Sequence, residues 1–308
     1  MTAHDGTTFS LCGAMTALVT PFKGGALDLP ALETLIDRQV EGGIDWLVPC
    51  GTTGESPTLT AKERDHVLSM VLARAGGRCG VLAGAGCNNT ADTIERCRKA
   101  AGAGAHAVML VAPYYNCPTQ EGLFRHFAAV AEAVEFPIVL YNVPVRTGVT
   151  ISADTVVRLR QAFGHIVAIK DATGNLDGVT ELLTRCDITV LSGDDTLTWP
   201  MLSVGASGVI SVISNLCPHL VKSMVDAGFA GAQDGIVLHR KAYDLASGIG
   251  RLGPNPLPIK TALAVRGLIQ EEFRLPLCPL DAAAKVEIEQ ILRRHELLTL
   301  DADESAVV

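Results

Sequence analysis

Aromatic side chains are scarce in this chain, at 5% of 308 residues. Charge is sparse too, at 19%, and leans acidic, with 33 aspartates and glutamates against 25 lysines and arginines. The net charge of −8 weighs against nucleic acid or an anionic membrane as partner. It leaves a small anionic substrate open, because a pocket can be basic on an acidic protein. No stretch approaches the ~20 consecutive apolar residues of a membrane span, and the opening segment has no basic n-region. A cytoplasmic location is expected. The nine cysteines form no CxxC pair, which removes a zinc ribbon or a thioredoxin-type site; scattered this way, they read as reduced thiols. The eight histidines show no HxH, HxxxH or HExxH spacing, so no catalytic zinc is expected. Gly102-Ala-Gly104 precedes an apolar run, and Gly84-Ala-Gly86 lacks a third glycine, so neither is a dinucleotide-binding turn.

What the chain has instead is 48% apolar residues and 30 glycines, enough for one large domain or one with an appendage. Eight short apolar runs recur: Ala14–Val19, Trp46–Pro49, Val81–Ala85, Ala107–Ala112, Ile138–Tyr141, Ile166–Lys170, Ile188–Leu191 and Gly208–Val212. Continuous rather than alternating apolarity suits parallel strands buried on both faces. Helix starts lie between them. Thr60-Ala-Lys-Glu63 is a capping box, Asp28 precedes Pro30 in a first turn, and Ser152 opens another helix. Eight successive β-then-α units predict an α/β fold, the (β/α)8 TIM barrel, with a doubly wound open sheet as the weaker alternative. After residue 230 the strand pattern stops, and Ala232–Ser247, Pro258–Ile269 and Leu280–Leu297 read as helices. The expected organisation is a barrel carrying the active site over 1–231, a C-terminal helical appendage over 232–298, and a frayed acidic tail over 299–308.

In such a barrel, chemistry sits where strands give way to the following loops. The second run ends in Gly51-Thr52-Thr53-Gly54-Glu55-Ser56, whose hydroxyls and amides suit an anion as well as an ordinary turn. Three of the four tyrosines lie at the ends of the fourth and fifth runs: Tyr114, Tyr115 and Tyr141. A phenol is both donor and acceptor, suited to acid–base work. Lys170 ends an otherwise apolar run, where a buried ammonium is costly unless paired, hydrated or neutral. A neutral amine is the nucleophile for a Schiff base with a carbonyl, although a lysine snorkelling from the barrel mouth fits the same position. Ser192-Gly193-Asp194-Asp195 ends the seventh run, and its paired aspartates argue against a phosphate. Cys50 and Cys117 flank these ends and read as small buried fillers.

With these residues in hand, the chain resembles the dihydrodipicolinate synthase and N-acetylneuraminate lyase family of pyruvate-binding class I lyases. The resemblance runs from Ala17-Leu-Val-Thr-Pro-Phe22 to Arg274-Leu-Pro-Leu-Cys-Pro279. Gly51-Thr-Thr-Gly-Glu55, Tyr141-Asn-Val-Pro144 and Ile169-Lys-Asp171 carry it, in this order. Tyr114-Tyr-Asn-Cys-Pro-Thr-Gln-Glu-Gly122, Gly253-Pro-Asn-Pro-Leu-Pro-Ile-Lys260 and Arg146 point to its synthase branch.

The resemblance implies that pyruvate condenses on Lys170 and then attacks aspartate semialdehyde, a committed step toward diaminopimelate and lysine. It implies Tyr141 as general acid/base, linked to Thr53 and to Tyr115 from a neighbouring subunit. Thr52 and Thr53, with backbone at Gly193 and Ile210, would hold the pyruvate carboxylate, and Arg146 that of the aldehyde. No metal or organic cofactor is implied, and a homotetramer is. It also implies an allosteric lysine cleft at Ser56, Asn88, Asp92 and Tyr114, from which this chain departs by carrying Ala61 and Arg64 where histidines are usual. Another aldolase of the family, acting on a sugar-derived or hydroxylated 2-oxo acid, is the alternative. A non-catalytic keto-acid sensor would be expected to lack Lys170 or Tyr141.

Overall fold

The computed structural model describes residues 10–298, so the tail expected at 299–308 lies outside the described residues. Each of the eight apolar runs forms a strand: β1 Gly13–Ala17, β2 Trp46–Val48, β3 Gly80–Gly84, β4 Ala107–Val111, β5 Ile138–Asn142, β6 Ile166–Asp171, β7 Thr189–Ser192 and β8 Gly208–Ser211. All pair in parallel, and β1 bonds to both β2 and β8, which closes the barrel. Helices follow the strands: α1 Leu29–Glu41, α2 Ala61–Ala75, α3 Thr90–Ala103, α4 Gln120–Ala133, α5 Ala153–Ala162, α6 Leu176–Arg185, α7 Thr198–Ser203 and α8 Pro218–Ala230.

The strands are apolar throughout because both their faces are covered. Ala14, Leu47, Val81, Val108, Leu140 and Ile169 point outward into the layer shared with the helices. Their neighbours Met15, Trp46, Leu82, Val139 and Ala168 point inward and fill the barrel. The two-residue period then aims Tyr141 and Lys170, two positions beyond Val139 and Ala168, into the same interior. At the opposite end of the barrel Trp46 needs room that only glycine leaves. A Cβ on Gly80 would lie 2.4 Å from its indole.

The expected helix starts are in place. Thr60 and Glu63 form the reciprocal capping box, Asp28 accepts from the Ala31 amide, and Ser152 accepts from the Thr155 amide. Such caps typically contribute about 1 kcal/mol each. One feature was not anticipated: a hairpin of Phe22–Lys23 and Ala26–Leu27, whose turn amides Gly24 and Gly25 donate to the Glu272 carboxylate at 2.7 and 2.5 Å.

Beyond the barrel come α9 Gly235–Gly250, α10 Leu257–Val265 and α11 Ala282–Arg294. The middle helix stops four residues short of the expected Ile269, because Gly267 turns left-handed at φ +72° just beyond it. The stretch from Ala246 to Ile259 runs past the C-terminal ends of the strands and forms part of the cavity there.

Candidate active site

Lys170 ends the apolar run of β6 and is 5% exposed. Its register partner on β5 is Tyr141, 6% exposed, and the Lys170 Nζ lies 4.3 Å from the centroid of the phenol ring. Asp171 is not the counter-ion of Lys170. It points to the outer face of the strand, where one carboxylate oxygen accepts from the Thr173 amide and hydroxyl at 3.1 and 2.6 Å. Asn142 on the same outer face donates to Asp171 at 3.4 Å and to the Ile151 carbonyl at 3.2 Å.

Above Lys170 lies a cavity of about 280 Å³, lined among others by Thr52, Thr53, Tyr141, Arg146 and Gly193. Ile210 is buried in the barrel interior beneath it, while Val212 and Ile213 reach its wall. Thr53 is 2% exposed, and its hydroxyl accepts from Nδ2 of Asn255 at 2.9 Å. Arg146 sits exposed on the short helical turn Pro144–Thr147, and its Nη2 donates to the Asn255 carbonyl at 3.0 Å. Asn255 thus joins the threonine loop to the arginine, and its own Oδ1 is buried with no hydrogen-bond partner among the described residues. The sequence reading missed this residue. Its signal, an asparagine between two prolines, reads locally only as a turn.

The paired aspartates after β7 both accept from backbone amides. Asp194 caps the Thr196 amide at 3.0 Å, and Asp195 accepts from the amides of Val212 and Ile213 at 2.9 and 3.1 Å. Burial pushes the Asp195 carboxyl above its ordinary pKa, against the pull of these hydrogen bonds.

A second cavity of about 200 Å³ shares Thr52, Tyr141 and Arg146 with the first and adds Ser56 and Tyr114. Tyr115 belongs to neither. It stands 92% exposed with φ +71°, a left-handed conformation that costs a non-glycine residue about 1–3 kcal/mol. Within one chain, therefore, Tyr115 is not brought to Tyr141. A third cavity of about 410 Å³, between α2 and α3, is lined by Asp92 together with Ala61, Arg64 and Arg96. Asn88 lines none of the three, and its carbonyl accepts from Nδ2 of Asn116 at 3.2 Å. Of the four residues expected around lysine, Ser56 and Tyr114 thus share one cavity, Asp92 lines another and Asn88 lines neither. Cys50 is the buried filler expected, its thiol pushed up to about 12 by burial. Cys117 is not: it is exposed, on a left-handed turn at φ +46°.

A lysine amine and a tyrosine phenol, side by side at the floor of a pocket rimmed by hydroxyls and a guanidinium, can form and protonate an imine of a small oxo acid. Comparison with known proteins agrees in kind. A model of the dihydrodipicolinate synthetase family matches residues 10–295. The chain is 46% identical over 289 residues to the 4-hydroxy-tetrahydrodipicolinate synthase of Pelobacter propionicus, covering 93% of this chain and 99% of the relative. Identity and coverage are the same for the synthase of Geobacter sulfurreducens. Among solved structures, dihydrodipicolinate synthase from Aquifex aeolicus superposes with a TM-score of 0.92 at 41% identity, over 94% of this chain and 100% of the other. The 4-hydroxy-tetrahydrodipicolinate synthase of Methylacidiphilum fumariolicum SolV gives 0.90 at 44% identity, over 92% and 96%.

Proposed function

This chain belongs to the dihydrodipicolinate synthetase family, and we propose that its cavity above Lys170 condenses pyruvate with L-aspartate 4-semialdehyde to 4-hydroxy-tetrahydrodipicolinate. The single observation that carries the reading is the Lys170–Tyr141 pair at the ends of adjacent strands. The Lys170 amine, when neutral, adds to the ketone carbon of pyruvate, and water leaves as the imine forms. The protonated imine is an electron sink, so a proton can leave the methyl carbon, and Tyr141 accepts and returns protons in these steps. The resulting enamine carbon forms a bond to the aldehyde carbon of the second substrate. The amine of that substrate then attacks the imine carbon, closes the six-membered ring and expels the Lys170 amine. The protonated imine formed on Lys170 supplies the electron sink, so the reaction as drawn uses no metal or organic cofactor.

Thr52, Thr53 and backbone at Gly193 and Ile210 hold the pyruvate carboxylate in this reading, and Arg146 meets the carboxylate of the aldehyde. The left-handed, outward Tyr115 supports its completing a neighbouring subunit's relay, and with it the homotetramer. Of the barrel domain expected over 1–231, the described residues from 10 onward form the catalytic barrel in the same reading, and 232–298 form the helical appendage. A cytoplasmic location fits the nine cysteines, none of which is in a disulfide among the described residues. Lysine inhibition is weak or absent in this reading: Ala61 offers no hydrogen bond, and Arg64 adds positive charge that opposes an incoming ammonium in a cavity where Asp65, Asp92 and Glu95 stand beside Arg64, Arg96 and Lys99.

Incubation with pyruvate and borohydride should fix a three-carbon adduct on Lys170, and addition of aspartate semialdehyde should then give turnover. Trapping without turnover would keep the imine chemistry and overturn the second substrate.

A further inference from the structure

Glu55 and Lys260, the last residues of two of the motifs above, meet in the interior of the protein. Both side chains are wholly buried, and the Lys260 ammonium donates to one carboxylate oxygen of Glu55. The other carboxylate oxygen accepts from the Arg274 amide at 3.2 Å. Lys260 also donates to the Glu272 carbonyl at 2.8 Å and lies 4.4 and 4.9 Å from the ring centroids of Phe22 and Phe273. Burial lowers the Lys260 pKa while the Glu55 carboxylate opposes the shift. A buried ion pair is poor value as a source of stability, since apolar side chains of similar volume often do as well. Its place in the fold points to a different use.

Glu55 closes the loop that carries Thr52 and Thr53. Its backbone is left-handed at φ +52°, its amide donates to the Thr52 carbonyl at 3.1 Å, and the Gly54 amide donates to the Gly51 carbonyl at 3.2 Å. Lys260 lies on α10, five residues after Asn255, whose side chain holds Thr53. One segment of the chain therefore grips the threonine loop at two points, Thr53 and Glu55. Neither Glu55 nor Lys260 lines the cavity above Lys170. We infer that the Glu55–Lys260 pair is a positioning device that sets the Thr52 and Thr53 hydroxyls at the height over Lys170 where the carboxylate of the oxo acid binds. The inference rests on the pyruvate reading given above. A misplacement of about 1 Å in such a loop can cost ~100-fold in rate.

The test is the double variant Glu55→Gln/Lys260→Met, which removes both buried charges together and leaves neither stranded. Its KM for pyruvate should rise about tenfold or more, with imine formation slowed to match, while its KM for aspartate semialdehyde stays within about twofold of wild type. Glu55→Gln alone, which keeps an acceptor for Lys260, should shift the same constant in the same direction and serves if the double variant does not fold. A wild-type KM for pyruvate in either folded variant would overturn the inference. So would a fall in kcat with both KM values unchanged, the mark of a merely structural pair. Absence of a trappable imine on Lys170 in the wild-type enzyme would overturn the pyruvate reading itself, which separates the two failures.

Discussion

Lys170 and Tyr141 are register partners on adjacent barrel strands, and Nζ of the lysine lies 4.3 Å from the centroid of the tyrosine ring. That relationship fixes which amine is in reach of the phenol. Lys260 is as deeply buried, but its ammonium is tied to Glu55 and the Glu272 carbonyl. Lys170→Ala should therefore abolish pyruvate trapping entirely while the fold is retained, since truncation removes a buried polar group at the cavity floor. Mass spectrometry of the reduced adduct checks it, and an adduct found on another lysine would refute the assignment.

Arg146→Ala should damage the second half of the reaction more than the first. The guanidinium stands exposed at the cavity rim and donates to the Asn255 carbonyl at 3.0 Å. A hydrogen bond to a charged group is typically worth ~1.5–3 kcal/mol, or about tenfold to a hundredfold or more. The loss should appear in kcat/KM for aspartate semialdehyde, with imine formation from pyruvate little changed. Equal losses in both steps would move Arg146 from substrate recognition to loop support.

The barrel was legible because each strand is a short, continuous apolar run, and that pattern has one economical topology when it recurs eight times. Lys170 was legible for a related reason: one charge at the end of such a run is conspicuous. The hairpin at Phe22–Leu27 was not, because two residues per strand show no period. Asn255 and Lys260 were not either. Their partners Thr53 and Glu55 lie 202 and 205 residues away in the chain, and no local pattern announces a contact at that range. Tyr115 was nominated by position and resemblance, but its outward, left-handed backbone is a property of the folded turn.

Asn255→Ala should act mainly on the pyruvate step, opposite to Arg146→Ala. It deletes the Nδ2 donor to Thr53 and keeps the carbonyl that accepts from Arg146. One neutral hydrogen bond contributes ~0.5–1.5 kcal/mol, so a loss of about two- to tenfold in kcat/KM for pyruvate is expected. Stopped-flow measurement of imine formation checks this. A larger effect on aspartate semialdehyde than on pyruvate would show that the backbone bond to Arg146 had been lost as well.

The final prediction concerns acid stability and lies away from the active site. His126 on α4 is 7% exposed; its Nδ1 pairs with the Thr90 hydroxyl at 2.9 Å, and its Nε2 is buried without a partner among the described residues. Burial lowers its pKa from 6.5 to about 4. Between those values the unfolded chain binds a proton that the folded chain refuses, so stability falls as pH falls through the window from 6.5 to 4. A shift of this size corresponds to roughly 3 kcal/mol in all, at about 1.4 kcal/mol per unit. Glu63, which Arg274 holds down to about 2, contributes its own loss mostly below that window. Urea unfolding of His126→Gln at pH 7 and pH 4.5 should therefore show a clearly shallower pH slope than wild type. Parallel slopes would mean that His126 binds its proton in the folded protein as readily as in the unfolded chain.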